Sequence, residues 1–298
     1  MNTQKNTTEQ EQKQEGFKQE AIKIGIILFP GINCEKETKL VVDATGMEGE
    51  IIRWNTTIDP NNYAGYIIPG GWSYEDRIRA GVVSAKAKIT DLLRKEAQQG
   101  KPILGICNGC QVLIESGIVP DVDLPTTESL KEQQKQSFPQ TQMAIAPNIN
   151  KNITGYYCTW VQVKLEQSCA FVNEDDKELI LPLPIAHGEG RFTSNNDAII
   201  KSVIQNKQII MRYCDRKGNI INLFPTNPNG SFGNIAGLAN KQGNVLAMMP
   251  HPERAFWKKQ LPFKEAYLSY TELLGDGPGK LIFENMKEYI RKQRRRAR

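Results

Sequence analysis

Cys107 lies in Ile103-Leu104-Gly105-Ile106-Cys107-Asn108-Gly109-Cys110-Gln111, an apolar run that ends in a thiol with a glycine two residues to either side. The spacing predicts a nucleophile elbow. A buried strand delivers the thiol to a sharp turn, small neighbours let the backbone close, and a helix begins at once. A helix N-terminus favours the thiolate, the attacking species in acyl transfer.

Such a nucleophile needs a base, and the chain holds only two histidines, His187 and His251. In Met249-Pro250-His251-Pro252-Glu253 each residue preceding a proline is biased toward extended geometry. Residues two apart in an extended segment project to one side, so Glu253 can accept from one ring nitrogen of His251 while the other faces a thiol. That is a base with an orienting carboxylate. His187, with Glu189 two residues on, is the alternative base, its glycines suiting a flexible loop near a ligand or subunit contact. Gly70-Gly71 follows the apolar Gly65-Tyr66-Ile67-Ile68 and offers unshielded amides that, with the amide of Asn108, can bind the oxyanion of a tetrahedral intermediate. A tight strand-to-loop turn would use the same glycines.

Cys107 and Cys110 also have the spacing of a redox pair, with Cys107 reactive and Cys110 resolving. A zinc site drawn from Cys107, Cys110, His187 and His251 would lack a second closely spaced ligand pair.

The elements that must hold these groups read as an α/β domain with a mostly parallel sheet flanked by helices. Lys23 to Phe29, Glu50 to Trp54, Gly65 to Ile68 and Pro102 to Ile106 read as strands, with helices over Cys34 to Thr45 and about Val82 to Gln99. Such sheets place their sites at the C-terminal ends of strands, where Gly70-Gly71 and Cys107 both fall. Further on, Tyr157 to Leu165, Ile180 to Ile185, Gln208 to Cys214 and Asn244 to Met249 are strand-like, and Lys280 to Arg291 closes as a helix.

One catalytic domain, 22–290, carries appendages. Residues 1–21 are polar and read as a disordered tail. Residues 121–142 read as a surface insertion, and 291–298 as a basic C-terminal tail. The formal charge of +5 is concentrated in that tail, whose eight residues carry six positive charges, so the body is nearly neutral and no nucleic-acid partner is expected. No stretch has the roughly 20 apolar residues of a membrane span. No signal core is present, and six irregularly spaced cysteines do not form a disulfide framework, so the expected location is cytoplasmic.

The elbow and Pro250-His251-Pro252-Glu253 together resemble the class I, triad-type glutamine amidotransferases, a family of flavodoxin-like architecture. Further blocks are similar to one branch, the glutaminase subunits of phosphoribosylformylglycinamidine synthase. They are Pro69-Gly70-Gly71-Trp72-Ser73-Tyr74-Glu75-Asp76, Ala186-His187-Gly188-Glu189-Gly190-Arg191-Phe192, Asn227-Pro228-Asn229-Gly230-Ser231, and Met248 to Arg254. The resemblance spans about Lys23 to Tyr289. It implies that Cys107 attacks the side-chain amide of glutamine, that His251 is the base and Glu253 its orienter, that Gly71 and Asn108 supply the oxyanion amides, and that Gln111 contacts substrate. It implies two protein partners, a large synthetase subunit that uses ATP and Mg2+ in purine synthesis and a small bridging subunit. This chain has no Walker-type phosphate loop, and no metal or cofactor of its own is expected. Two residues depart from the branch: Glu75 stands where glycine is usual and Cys110 where an aromatic is common.

Overall fold

The computed structural model describes residues 21–123, 141–149, 155–262 and 275–296. The expected N-terminal tail apart from Ala21, most of the 121–142 insertion, and Ala297 and Arg298 lie outside the described residues.

The first half of the chain runs β1 (Lys23–Leu28), α1 (Glu35–Ala44), β2 (Glu48–Arg53), β3 (Gly65–Ile68), α2 (Lys88–Gln98), β4 (Ile103–Ile106) and α3 (Asn108–Glu115). The second half contains β5 (Ala144–Pro147), β6 (Tyr157–Leu165), β7 (Ile180–His187), β8 (Glu189–Thr193), α4 (Asp197–Gln205), β9 (Ile209–Cys214), β10 (Ile235–Ala239), β11 (Val245–Met248) and α5 (Lys280–Arg296). Nine strands form one sheet in the order β2-β1-β3-β4-β11-β10-β9-β6-β7, and β5 pairs with β8 separately.

From β2 to β11 every neighbouring pair is parallel. From β11 to β7 every pair is antiparallel. The parallel half is the α/β core read from the sequence. Every residue of β3, β4 and β11 is buried, which explains their unbroken apolar sequences: a strand covered on both faces has no solvent side on which to place polar residues. Burying each of the large side chains here, such as Ile67, Ile103 and Leu246, contributes about 1.5–3 kcal/mol.

Some boundaries differ from the sequence reading. The helix expected from about Val82 is broken at Ala87, whose backbone is extended (φ −74°, ψ 146°), leaving a 3-10 turn at Ser84–Lys86 before α2. α5 runs on to Arg296, through six residues assigned to the basic tail. Their positive charges lie at the negative end of the helix dipole, where they favour continuing it. β5, β8, β10 and α4 carry no clear pattern in sequence. Ile-Ala-Gly-Leu-Ala of β10 is five residues long and fully buried, too short for periodicity to separate strand from helix.

No described helix is long and apolar enough to cross a membrane.

Candidate active site

β4 delivers Cys107 to the start of α3 with φ +50° and ψ −102°, a conformation that side-chain-bearing residues rarely adopt and that stores about 1–3 kcal/mol of strain. Close packing holds it. A Cβ on Gly109 would sit 1.9 Å from the Ile68 carbonyl oxygen, and one on Gly105 2.5 Å from the Gly109 oxygen. Two glycines therefore let α3 dock against β3 and β4. The Cys107 amide donates to the Met248 carbonyl at 2.8 Å, tying the elbow to β11. Its thiol points at the Ala186 carbonyl, 3.6 Å away.

His251 arrives from the neighbouring strand end. Its backbone is extended (φ −101°, ψ 90°), as expected before a proline, but Pro252–Ala255 then forms a 3-10 turn rather than the extended segment read from sequence. The turn still brings residues 251 and 253 together: Nδ1 of His251 lies 2.5 Å from Oε1 of Glu253. Glu253 is fully buried and His251 is 2 % exposed. Burial opposes a charge on the ring, but the Glu253 carboxylate and the thiols of Cys107 and Cys34 outweigh it and raise the His251 pKa well above its ordinary value. In the neutral ring, with Nδ1–H donating to Glu253, Nε2 is the acceptor, buried and with no hydrogen-bond partner among the described residues, and the raised pKa favours transfer of the Cys107 proton onto it. Cys107 and His251 line one cavity of about 30 Å³, under Trp72 and Tyr156, whose rings stack with centroids 5.9 Å apart.

The loop after β3 supplies the opposite wall. Gly71 pairs with Ile32 as an isolated antiparallel bridge. In it the Asn33 amide donates to the Gly70 carbonyl at 3.3 Å, the Cys34 amide to the same oxygen at 3.2 Å, and the Trp72 amide to Gly31 at 2.9 Å. The Gly70 carbonyl is thus fixed toward residues 33 and 34. Across a planar trans peptide the Gly71 N–H must point the other way. Gly71 has φ +150°, and a Cβ there would meet the Ile32 Cα at 2.6 Å, so both conformation and space require glycine. The Asn108 amide, at the first position of α3, has no acceptor within its own helix.

Asn108 and Gln111 organise the floor. The Asn108 side chain accepts from the Ser73 amide (3.1 Å) and donates to Asp76 Oδ1 (3.2 Å) and Gln111 Oε1 (2.8 Å), while Gln111 Nε2 donates to the Glu189 carbonyl at 2.7 Å. Burial and the Glu189 carboxylate push Asp76 up to about 6, against the Asn108 hydrogen bond. Tyr74, Glu75, Asp76 and Ile78 all have positive φ. Glu75, at +59°, occupies the position where the resemblance leads one to expect glycine, and the conformation explains that expectation.

The structure brings His251, not His187, onto a carboxylate. His187 ends β7 rather than lying in a flexible loop, and is 3 % exposed. Its Nδ1 bonds to Asn148 Oδ1 at 3.2 Å, and burial, with the charge of His251, depresses it to about 3. It is a neutral core histidine. Gly190 packs on its ring so closely that a Cβ would come within 2.1 Å of Cε1. Cys110 is wholly buried on α3 and its thiol is pushed well up by burial and by Cys107, against a resolving role. Nor do Cys107, Cys110, His187 and His251 assemble as a metal set: among the described residues the donor group is Cys34, His251 and Glu253.

Neither Cys34 nor Arg254 has a site role in the sequence reading. Cys34 lies more than two hundred residues before His251 and in no local pattern, so only the fold brings it to the ring. Arg254 does follow Glu253 directly, and its guanidinium donates to Glu37 Oε1 at 2.8 Å and to Cys34 Sγ at 3.1 Å.

Residues 21–290 match the family model of the CobB/CobQ-like glutamine amidotransferase domain. The chain is 44 % identical over 277 residues to the phosphoribosylformylglycinamidine synthase subunit PurQ of Methanothrix thermoacetophila, covering 92 % of this chain and all of that protein. It is 34 % identical over 274 residues to the subunit of the same name from Pyrococcus horikoshii, covering 91 % and 100 %. Among solved structures it is similar to a chain in the structure of PurLQS from Thermotoga maritima, with a TM-score of 0.66 and 29 % identity over 91 % of this chain and 99 % of that one.

Proposed function

The chain belongs to the CobB/CobQ-like glutamine amidotransferase domain family, and from that membership we propose that Cys107, His251 and Glu253 are its catalytic triad. The protein is the glutaminase subunit of phosphoribosylformylglycinamidine synthase, an enzyme of purine biosynthesis, and works in complex with the synthetase subunit PurL and the small subunit PurS. The single observation that carries the residue roles is the 2.5 Å bond between His251 Nδ1 and buried Glu253, which leaves Nε2 as a free acceptor in the cavity that Cys107 also lines.

Cys107 gives its proton to His251 Nε2 and its sulfur attacks the carboxamide carbon of glutamine. The carbonyl oxygen becomes an oxyanion, bound by the Gly71 and Asn108 amides. Its collapse breaks the C–N bond, His251 returns the proton to the departing nitrogen, and ammonia leaves a glutamyl thioester on Cys107. Water then attacks the thioester, again with His251 as base, releasing glutamate and the thiol. Glu253 holds the tautomer throughout. Gln111, with both ends of its amide held by the protein, shapes the glutamine pocket beside Asn108. ATP and Mg2+ are used by the synthetase subunit, and this chain binds neither; we place the complex in the cytoplasm.

Reconstituted complex carrying Cys107→Ala is expected to lose glutamine-dependent synthesis and keep ammonium-dependent synthesis. A Cys107→Ala complex that still uses glutamine would overturn the assignment.

A further inference from the structure

The carboxylate that orients the base is only half satisfied. Glu253 is fully buried and its Oε1 is bound to His251, but Oε2 is buried with no hydrogen-bond partner among the described residues, a costly state for an ionised group in the core. A guanidinium stands close by. Nε of Arg254 is 3.9 Å from Glu253 Oε1, just beyond hydrogen-bond reach. Its one N–H goes instead to Glu37 Oε1, at 2.8 Å. Nη2 of the same guanidinium donates to Cys34 Sγ at 3.1 Å. Cys34 caps α1 and Glu37 lies in its first turn, where the helix dipole favours a carboxylate. The start of α1 therefore supplies both acceptors.

We propose that Glu37 is a positioning residue of the triad: by taking the Arg254 Nε–H it keeps the guanidinium from closing on Glu253. The role presupposes the triad assignment and deepens it. Nε carries a single hydrogen, so the two carboxylates compete for it. The root of the side chain is already tied to the base, because the Arg254 amide donates to the His251 carbonyl at 3.2 Å. Without Glu37 the guanidinium needs to move only about 1 Å to bond Glu253.

That bond would weaken the base in two ways. It would offset the carboxylate charge that polarises the ring, and it would bring a positive charge nearer to His251. The ionisable groups around the ring, among the described residues, are Cys107 from the elbow, Cys34 from the start of α1, His187 from β7, Tyr156 ahead of β6, and Glu253 and Arg254 from its own turn. Of these, Arg254 is the one that loss of Glu37 sets free. A half-exposed Arg–Glu pair ordinarily contributes little to stability, so the effect falls on the base rather than on the fold.

The chain has only two histidines, and His187 is depressed to about 3, so the imidazole that titrates near and above neutral pH is His251. The test follows that titration by NMR in the full chain carrying Cys107→Ala, which removes the coupling of ring to thiol. Glu37→Ala is expected to lower the His251 pKa by about one unit, and Glu37→Ala with Arg254→Met to restore it. In the reconstituted complex with Cys107 intact, Glu37→Ala should lower glutamine-dependent kcat/KM roughly 3- to 10-fold at neutral pH while ammonium-dependent synthesis is retained, and adding Arg254→Met should recover most of the loss. Circular dichroism establishes that each variant is folded; Glu37→Ser serves if Glu37→Ala is not. An unchanged His251 titration in Glu37→Ala, or a shift that Arg254→Met does not reverse, overturns the proposal and leaves the triad standing. Failure of the triad itself would show instead as a Cys107→Ala complex that still uses glutamine.

Discussion

Replacing Gly70 with alanine is the sharpest probe of how His251 is held. Gly70 is not among the positive-φ glycines, so its backbone accepts a side chain and the only new feature is the Cβ. That carbon would lie 2.7 Å from His251 Cε1, whereas ordinary contacts begin near 3.4 Å. The ring must therefore retreat by about 0.7 Å, or the loop must. The ring cannot slide freely, because Glu253 holds Nδ1 at 2.5 Å, nor can the loop, because its carbonyl is held by two amides. Misplacement near 1 Å costs catalysis roughly 100-fold, or about 2.7 kcal/mol of transition-state stabilisation, and overpacking lowers stability by about 1–3 kcal/mol. Glutamine-dependent kcat/KM of the reconstituted complex should fall about 30- to 100-fold, with ammonium-dependent synthesis retained. A Gly70→Ala variant within threefold of the parent on glutamine would refute the claim that this glycine positions the base.

Glu253→Gln should lower glutamine-dependent kcat by roughly 10²- to 10⁴-fold, as loss of the orienting carboxylate permits the wrong tautomer; retention of more than a tenth of the rate would count against the triad. The same pair carries a pH signature. Because the folded His251 pKa is raised above 6.5, its stabilisation is complete below the unfolded pKa and is lost as pH rises through the folded one, so the destabilisation by Glu253→Gln should be largest at pH 6 and shrink as pH is raised in denaturant titrations. Asp76 has the opposite balance for a carboxylate. Its folded pKa of about 6 exceeds the ordinary 3.8, so the native state binds more protons between these values and stability falls as pH rises through them. Asp76→Asn should thus gain about 1 kcal/mol above pH 6, discounted for partial exposure, and nothing below pH 4, read from melting curves at both pH values. Cys110→Ala should retain glutamine hydrolysis within about threefold while losing roughly 1–2 kcal/mol from its small cavity, and loss of activity comparable to Cys107→Ala would reinstate the redox reading.

The parts of the site that are contiguous in the chain were legible as sequence. Gly105-Ile106-Cys107-Asn108-Gly109 announces its turn because the glycines are demanded by contacts inside the elbow itself, with β3 as the nearby wall. His251 and Glu253 are two residues apart, so almost any local geometry joins them, and the inference survived even though the segment is a 3-10 turn and not a strand. What sequence could not settle was His187. Its motif, with a carboxylate two residues on, mimics that of His251, and only Asn148 and the burial of the ring reveal a core residue. Cys34 and Asp76 were invisible for a different reason. Their environments are set by residues on other elements, His251 and Glu189, and no local pattern encodes an encounter across the sheet. The parallel half of the fold was readable from continuous apolar runs, whereas β10, β5 and β8 owe their strand geometry to partners chosen by tertiary packing.

The fixed Gly70 carbonyl constrains how this subunit can be switched on. An enzyme whose oxyanion amide is turned away at rest can use its partner to rotate one peptide, making assembly of the hole the trigger. Here that rotation would break the two hydrogen bonds from Asn33 and Cys34, and the resting chain already presents the amide. Control by the synthetase would then have to act on entry, where Trp72 and Tyr156 line the same pocket as Cys107 and His251. The subunit is loaded and latched, so a small alkylating agent should discriminate free from assembled protein far less than glutamine does.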